Sequence, residues 1–278
     1  RHRRQTCRAD AAARNRRCAR MSETLARLLE LEAAIHYKTP APEGQPDFCY
    51  HLGRAPLLIS APHGAAHTRR GKLNDDEDFT AALAVRLAER TGAHAICTCW
   101  QSATDANFAP DAPYKQALAA AVRRWRIRFV LDLHGAAFHH EFGLALGTLN
   151  GVSCPADWLL TPLAAFGFGT SGAWLSRLDV DETFTGVGRS DQETITRFVH
   201  EQLHIPAAQI EINALLRVVR RQAAASEREP FAGPPEEIER CAAALTALVN
   251  SLIRQRHLAP RRPWQVEPEP DSDAADRD

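Results

Sequence analysis

The sequence predicts an α/β protein, a three-layer α/β/α sandwich around a mixed, mainly parallel sheet. Three observations carry that prediction. Short apolar runs alternate along the chain with longer stretches of helical periodicity. One run, RFVLDLHG (128–135), is almost continuously apolar until it turns polar at its end, as a strand covered on both faces does. The 278 residues, 45% of them hydrophobic, contain no internal repeat and no convincing middle linker, which suits one substantial core.

The elements follow in order. Residues 22–36 (SETLARLLELEAAIH) have helical apolar spacing, with Ser22 as the candidate cap and Glu23 in the opening turn. The proline-bearing TPAPEGQPD (39–47) ends that helix. FCYHL (48–52) and PLLISAP (56–62) read as short strands joined by a GR turn. Residues 78–91 (DFTAALAVRLAERT) form a periodic helix stopping at Gly92. AHAICTC (93–99) is strand-like, and PYKQALAAAVRRW (113–125) is a helix with Pro113 in its first turn. RFVLDLHG is the central strand, FGLALGTL (142–149) another strand, and DWLLTPLAAFG (157–167) a helix. A helix over 190–203 has Ser190 and Glu193 at capping-box spacing. AQIEINALL (208–216) is a strand or a strand-to-helix transition, and PPEEIERCAAALTALVNSLIRQ (234–255) closes the fold. The domain is expected over 22–257. Residues 1–21 are expected to be a disordered basic arm or an over-extended translation start, and 258–278 a disordered acidic tail.

Composition excludes several functions. Lys and Arg balance Asp and Glu at a formal net charge of zero, so no global field points to nucleic acid or to a membrane surface. The basic arm lacks the interleaved aromatics of an RNA-binding segment and the apolar stretch of a signal peptide. No run reaches the roughly 18 apolar residues that span a bilayer. The seven cysteines form no CxxC pair and are odd in number, which suggests neither a disulfide framework nor a zinc ribbon. Cys97 and Cys99 share a strand face, where core packing in a reducing cytoplasm is expected.

Polar groups gather where strands end, and in open α/β sheets ligands bind beyond those ends. His63 follows LLISA in PHG, and His134 lies in DLHG at the end of the central strand. A lone histidine at a strand end is an ordinary hydrogen-bonded group. Two of them, each followed by glycine, fit metal ligation better, because glycine lets other groups approach the imidazole. Two histidines and a carboxylate with one open position make the ligand set of catalytic zinc hydrolases. NDDEDFT (74–80) is the candidate carboxylate donor, with Asp76, Glu77 and Asp78 competing and helix capping as the ordinary role for such acids. Asp132 shares a strand face with His134 and either orients it or ligates directly. His139 and His140 follow as reserve ligands or exposed groups. Glu211, between Ile210 and Ile212, is costly to bury uncompensated; it is a general base or the partner of an arginine such as Arg217.

Six stretches in order, ISAPHG (59–64), DDEDFTAALA (75–84), DAN (105–107), LDLHG (131–135), FTGVG (184–188) and QIEINALLR (209–217), resemble the N-formylglutamate amidohydrolase family. More distantly they are similar to the zinc carboxypeptidase and aspartoacylase group. The family's glycine pair after phenylalanine is split here by Val187. The resemblance implies a phosphorylase/hydrolase-like α/β/α sandwich with one zinc per chain, held by His63, Glu77 and His134. It implies Glu211 as general base, and Asn107 and Arg217 as groups facing the substrate; for a small N-acyl amino acid, Arg189 or Arg217 is the expected partner of the substrate carboxylate. The expected activity is metal-dependent hydrolysis of a non-peptide amide. A carboxypeptidase-like activity and a non-catalytic zinc-binding domain are the alternatives, and no oligomeric state is legible.

Overall fold

A computed structural model describes residues 21–221 and 231–255. The two terminal segments expected to be disordered lie outside the described residues, apart from Met21.

The chain begins with helix α1 (Glu23–Glu32), whose N-cap Ser22 accepts a hydrogen bond from the Leu25 amide as its position predicted. Strands β1 (His36–Pro40), β2 (Phe48–His51) and β3 (Leu57–Ala61) follow. A small hairpin, β4 (His67–Arg69) and β5 (Lys72–Asn74), precedes helix α2 (Thr80–Thr91), which ends in left-handed Gly92. Then come β6 (His94–Thr98), the two-residue β7 (Trp100–Gln101) and helix α3 (Pro113–Trp125). Strands β8 (Phe129–Ala136) and β9 (Leu144–Gly147), helix α4 (Asp157–Ala164), strand β10 (Leu178–Val180) and helix α5 (Ile195–Leu203) lead to β11 (Ala207–Asn213). A 3-10 turn (Ala214–Leu216) follows β11, and the last helix among the described residues is α6 (Pro235–Arg254).

Seven strands form one sheet in the order β10-β9-β11-β8-β3-β6-β2. β8 lies at its middle, as its unbroken apolar run predicted. The pairs β10–β9, β11–β8, β8–β3 and β3–β6 are parallel, and β9–β11 and β6–β2 are antiparallel, so the sheet is mixed and mainly parallel. Helices α1, α2, α4 and α6 cover one face through Leu28, Leu87, Leu163, Leu245 and their neighbours. Helices α3 and α5 cover the other through Leu118 and Val199. The three-layer sandwich is therefore the observed fold.

Side-chain alternation explains how one sheet carries both a core and a site. Leu131 and Leu133 of β8, and Ile210 and Ile212 of β11, point into the larger core. The residues between them, Asp132, His134, Gln209 and Glu211, therefore face the opposite side of the sheet, with His134 and Glu211 nearer the carboxyl ends of their strands. Parallel register sets Gln209 beside Asp132 and Glu211 beside His134.

Three expectations need correction. The helix expected over 190–203 starts at Ile195: Thr194 is the N-cap, accepting from the Arg197 amide, while Glu193 pairs with Lys115 at 2.9 Å. Helix α2 starts at Thr80 rather than Asp78, with Phe79 left-handed (φ 64°) at its N-cap and no side-chain cap, so the acidic run does not serve as a helix cap. Cys99 is not a free core thiol but is joined to Cys49, with their Cα atoms 6.3 Å apart. The cause is strand pairing that spacing alone does not reveal: β2 lies antiparallel to β6 with Cys49 opposite Cys97, which puts Cys99 on the same face. Cys97 is free and buried, as expected. A disulfide is characteristic of oxidising compartments, so a reducing cytoplasm does not follow from these cysteines. No helix among the described residues is long and apolar enough to cross a membrane.

Candidate metal centre

Three chain segments meet at the carboxyl edge of β3 and β8. His63 lies just past β3, where Gly64 packs so tightly that a Cβ there would stand 2.6 Å from the Thr98 carbonyl oxygen. Thr98 in turn donates to the Pro62 carbonyl and accepts from the Ala65 amide, holding both sides of His63. His134 ends the polar face of β8. Gly135 after it admits the buried Arg217 guanidinium, whose Nε would lie 2.5 Å from any Cβ at that position. Glu77 comes in on the loop before α2, its amide donating to the His63 carbonyl.

The side chains converge. His63 Nδ1 is 2.8 Å from Glu77 Oε1, and His134 Nδ1 is 3.2 Å from Glu77 Oε2, which also accepts from the Gly135 amide at 2.8 Å. One ligand atom from each of His63, Glu77 and His134 lies within 4.8 Å of the other two. On their far sides both imidazoles are held by carboxylates: His63 Nε2 is 2.9 Å from Asp105 Oδ1, and His134 Nε2 is 2.9 Å from Asp132 Oδ2. A carboxylate on Nε2 places the proton there and leaves the Nδ1 lone pair for a cation, the usual outer arrangement of metal-bound histidine. The donor set thus fits zinc, with two nitrogens and one carboxylate. The Glu77 side chain is 21% exposed, against 4% for His63 and 1% for His134, so the site opens on the Glu77 side.

The local field is that of a cation site. Burial opposes charge on His63, but Glu77 and Asp105 outweigh it and push its pKa up to about 9. Burial likewise opposes charge on His134, and Asp132 with Glu77 holds it well above its ordinary range. Glu77 is lowered despite burial because both imidazoles face it. Among the three competing acids, Asp78 instead pairs with Arg221 at 2.6 Å, and Asp76 is buried beside the Glu32 carboxyl.

Glu211 stands next to His134 across the β11–β8 ladder, 8% exposed, its Oε1 accepting from Gln209 Nε2 at 3.1 Å. Burial is the main cause that pushes its carboxyl up to about 7, with His134 opposing and Glu77 adding. The other expected contacts spread out. Arg217 is buried beside Gly135, and Arg189 is exposed on the loop before α5. Asn107 uses its Oδ1 to accept the Ile195 amide at 2.8 Å, so its carbonyl end closes the start of α5. Its backbone carbonyl accepts from Gln192, which stitches the Asp105 loop to the loop bearing Arg189. His139 is exposed and stacks on His140; neither is among the clustered ligands.

Sequence reasoning passed over Asp105, which sits two residues before Asn107, and His67, which stacks on His63 with ring centroids 4.0 Å apart. Their available signals were the DAN stretch itself and the four-residue spacing of His63 and His67.

Two outcomes follow from this geometry. Asp132→Asn is expected to weaken zinc binding about 10–100-fold without unfolding the protein, because it removes the acceptor that fixes the His134 tautomer; competition with a chromophoric chelator measures it. The second concerns Glu32, whose Oε1 accepts from the Phe79 amide at 2.6 Å and from the Tyr37 hydroxyl, and so pins the left-handed residue next to the Glu77 loop. Burial pushes the Glu32 carboxyl up to about 8. The fold therefore favours the protonated form, and this contribution is complete below the ordinary carboxylate range and lost as pH rises through about 8. Thermal unfolding across that interval is expected to fall more steeply in the wild type than in Glu32→Gln; parallel curves would rule the protonated carboxyl out.

No family model matches the chain, and no curated protein matches it. Solved structures similar to it include a bacteriophage poly-gamma-glutamate hydrolase at 14% identity and a TM-score of 0.45, covering 76% of this chain and 92% of that one. A metallo-carboxypeptidase from Pseudomonas aeruginosa is 14% identical with a TM-score of 0.42, over 82% and 68% of the two chains. The succinylglutamate desuccinylase from Chromobacterium violaceum is 12% identical with a TM-score of 0.40, over 82% and 76%. At these values they are distant likenesses of chain trace.

Proposed function

We propose that the chain is a zinc-dependent hydrolase that cleaves the amide bond of an N-formyl or N-acyl amino acid such as N-formylglutamate. The observation that carries this reading is the convergence of His63 Nδ1 and His134 Nδ1 on the Glu77 carboxylate, with Glu211 in register beside His134. The ordered motifs shared with the N-formylglutamate amidohydrolase family support the substrate class.

His63, Glu77 and His134 hold the ion, and Asp105 and Asp132 keep the imidazoles turned to it. When bound, zinc supplies Lewis acidity for the scissile carbonyl and makes a water acidic near neutral pH. Glu211 takes the proton from the attacking water on its carboxylate and returns it to the leaving nitrogen. Burial raises its proton affinity, which without the ion puts its pKa at about 7 and favours uptake of the water's proton. Gln209 fixes the orientation of the Glu211 carboxylate. Arg217, beside Gly135, pairs with a substrate carboxylate by two parallel hydrogen bonds, and Arg189 contributes from the outer loop. Asn107 acts by holding the Asp105 and Arg189 loops together.

The test is zinc quantitation on purified protein, followed by a hydrolysis screen of formyl-, acetyl- and succinyl-amino acids beside C-terminal peptides. Bound zinc with release of free amino acid from an acyl substrate is expected. Zinc with cleavage of peptides alone would transfer the chain to the carboxypeptidase-like alternative, and zinc with no hydrolysis to the non-catalytic one.

A further inference from the structure

We propose that the pocket between the β8–β9 and α4–β10 loops is a subsite for the acyl end of the substrate, and that it takes a neutral aromatic ring on a short alkyl chain. This names the acyl group of the hydrolysis proposed above and rests on that reading.

Topology sets the pocket on the edge that carries the metal centre. β11 lies between β8 and β9, parallel to the first and antiparallel to the second, so the 137–143 loop leaves the carboxyl end of β8 and crosses the end of β11. β10 is parallel to β9, so the chain entering β10 arrives at that edge too. Between these loops Phe138, His139, Glu141, Gly172, Trp174 and Arg177 line a cavity of about 550 Å³, a size within the range of small-molecule sites. Phe138 follows His134 by four residues, so their Cα atoms are no more than about 14 Å apart. Contacts continue from one site to the other. Asp78, next to Glu77 on the open side of the centre, holds Arg221 at 2.6 Å; the Arg221 guanidinium lies 5.3 Å from the Phe231 ring centre, and Phe231 stacks on Phe138 at 6.0 Å.

The walls hold aromatic faces in place. Asn213, fully buried at the end of β11 and two residues past Glu211, donates to the carbonyls of Phe138, His140 and Phe142. The second loop packs on the first: the Gly143 amide donates to the Arg177 carbonyl, and a Cβ on Gly143 would stand 2.2 Å from the Leu175 carbonyl oxygen. Trp174 donates its indole N–H to the His140 carbonyl at 2.6 Å yet is 47% exposed, and Phe138 is 53% exposed. Two large rings held in position and left open at one cavity are a stacking surface. Glu141 and Arg177 give the rim one charge of each sign, so a neutral ring suits it better than an ion of either sign. In the proposed reaction Arg217 and Arg189 take the amino acid's carboxylate, which leaves the acyl end to extend into the pocket; a formyl group fills none of it.

Phenylpentanamide, with its ring at the chain end, is titrated against metal-free full-length protein and followed by ligand-detected NMR. Wild type is expected to bind it about 10-fold more tightly than Trp174→Ala, the scale of one ring moved out of water. Equal affinity, or no binding to wild type, overturns the pocket. With zinc restored, kcat/KM is compared for N-phenylpentanoylglutamate, N-formylglutamate and N-formylphenylalanine. The first is expected to exceed the second by at least about 10-fold, and Trp174→Ala to shrink that ratio by about the same factor. A first substrate no better than the second, or an advantage that Trp174→Ala leaves in place, overturns the acyl assignment, as does a preference for N-formylphenylalanine that Trp174→Ala removes. No hydrolysis of any of the three overturns the hydrolase reading and the acyl assignment with it, while the amide titration still decides whether the pocket binds a ring. Should Trp174→Ala fail to fold by circular dichroism, Phe138→Ala from the other loop is read in the same way.

Discussion

Glu211→Gln is expected to lower kcat on the amide substrate by about 10²–10⁴-fold while leaving zinc binding intact. The substitution keeps shape and burial but removes the proton acceptor. The fold should tolerate it, since burial already favours the neutral form of this side chain, and the Gln209 amide can still donate to a carbonyl oxygen at the same place. The pH profile gives a second readout with a definite sign. Glu211 must be ionised to act, so kcat/KM falls as pH drops through its pKa. Without metal that value is pushed up to about 7, mainly by burial. A bound dication favours the charged form and moves it down, so the acid limb of the zinc enzyme lies below about 7. A variant with near-normal kcat, or one that loses its zinc, would remove Glu211 from the role of base.

The residues that read correctly from sequence are those governed by local periodicity. In β8 the apolar Leu131 and Leu133 alternate with Asp132 and His134, and in β11 Ile210 and Ile212 alternate with Gln209 and Glu211. Period-two alternation is a property of the chain itself, and it is enough to assign such polar groups to one face of a strand. Their register, Glu211 beside His134, is a pairing between strands more than 70 residues apart, and no single-strand pattern contains it. The choice of Glu77 over Asp76 and Asp78 is likewise a product of loop geometry: Phe79 turns left-handed, and Glu77 is swung toward the imidazoles while Asp78 meets Arg221. His67 is hidden for a different reason. It belongs to a three-residue strand too short to show periodicity, and its importance arises only from stacking on His63. The Cys49–Cys99 bond is of the same kind, since β2 and β6 must pair before those cysteines become neighbours.

His134→Ala is expected to abolish activity and to remove the ion from the centre it shares with His63 and Glu77. Loss of a direct ligand costs more than the roughly 10–100-fold of an outer partner such as Asp132. The protein itself is also expected to suffer. His134 is 1% exposed and lies between Glu77 Oε2 and Asp132 Oδ2, so its removal leaves the buried Asp132 carboxylate and the partly exposed Glu77 facing a void without the imidazole that drew them together. Breaking a buried pair in this way costs about 3–5 kcal/mol. Zinc titration during thermal unfolding separates the two effects. Wild-type Tm is expected to rise with zinc, because an ion that binds only the folded state stabilises it by mass action. The variant is expected to start from a lower Tm and to gain far less at the same concentration. Equal gains in both proteins would mean that His134 is no ligand, and would leave its contact with Asp132 as a purely structural hydrogen bond.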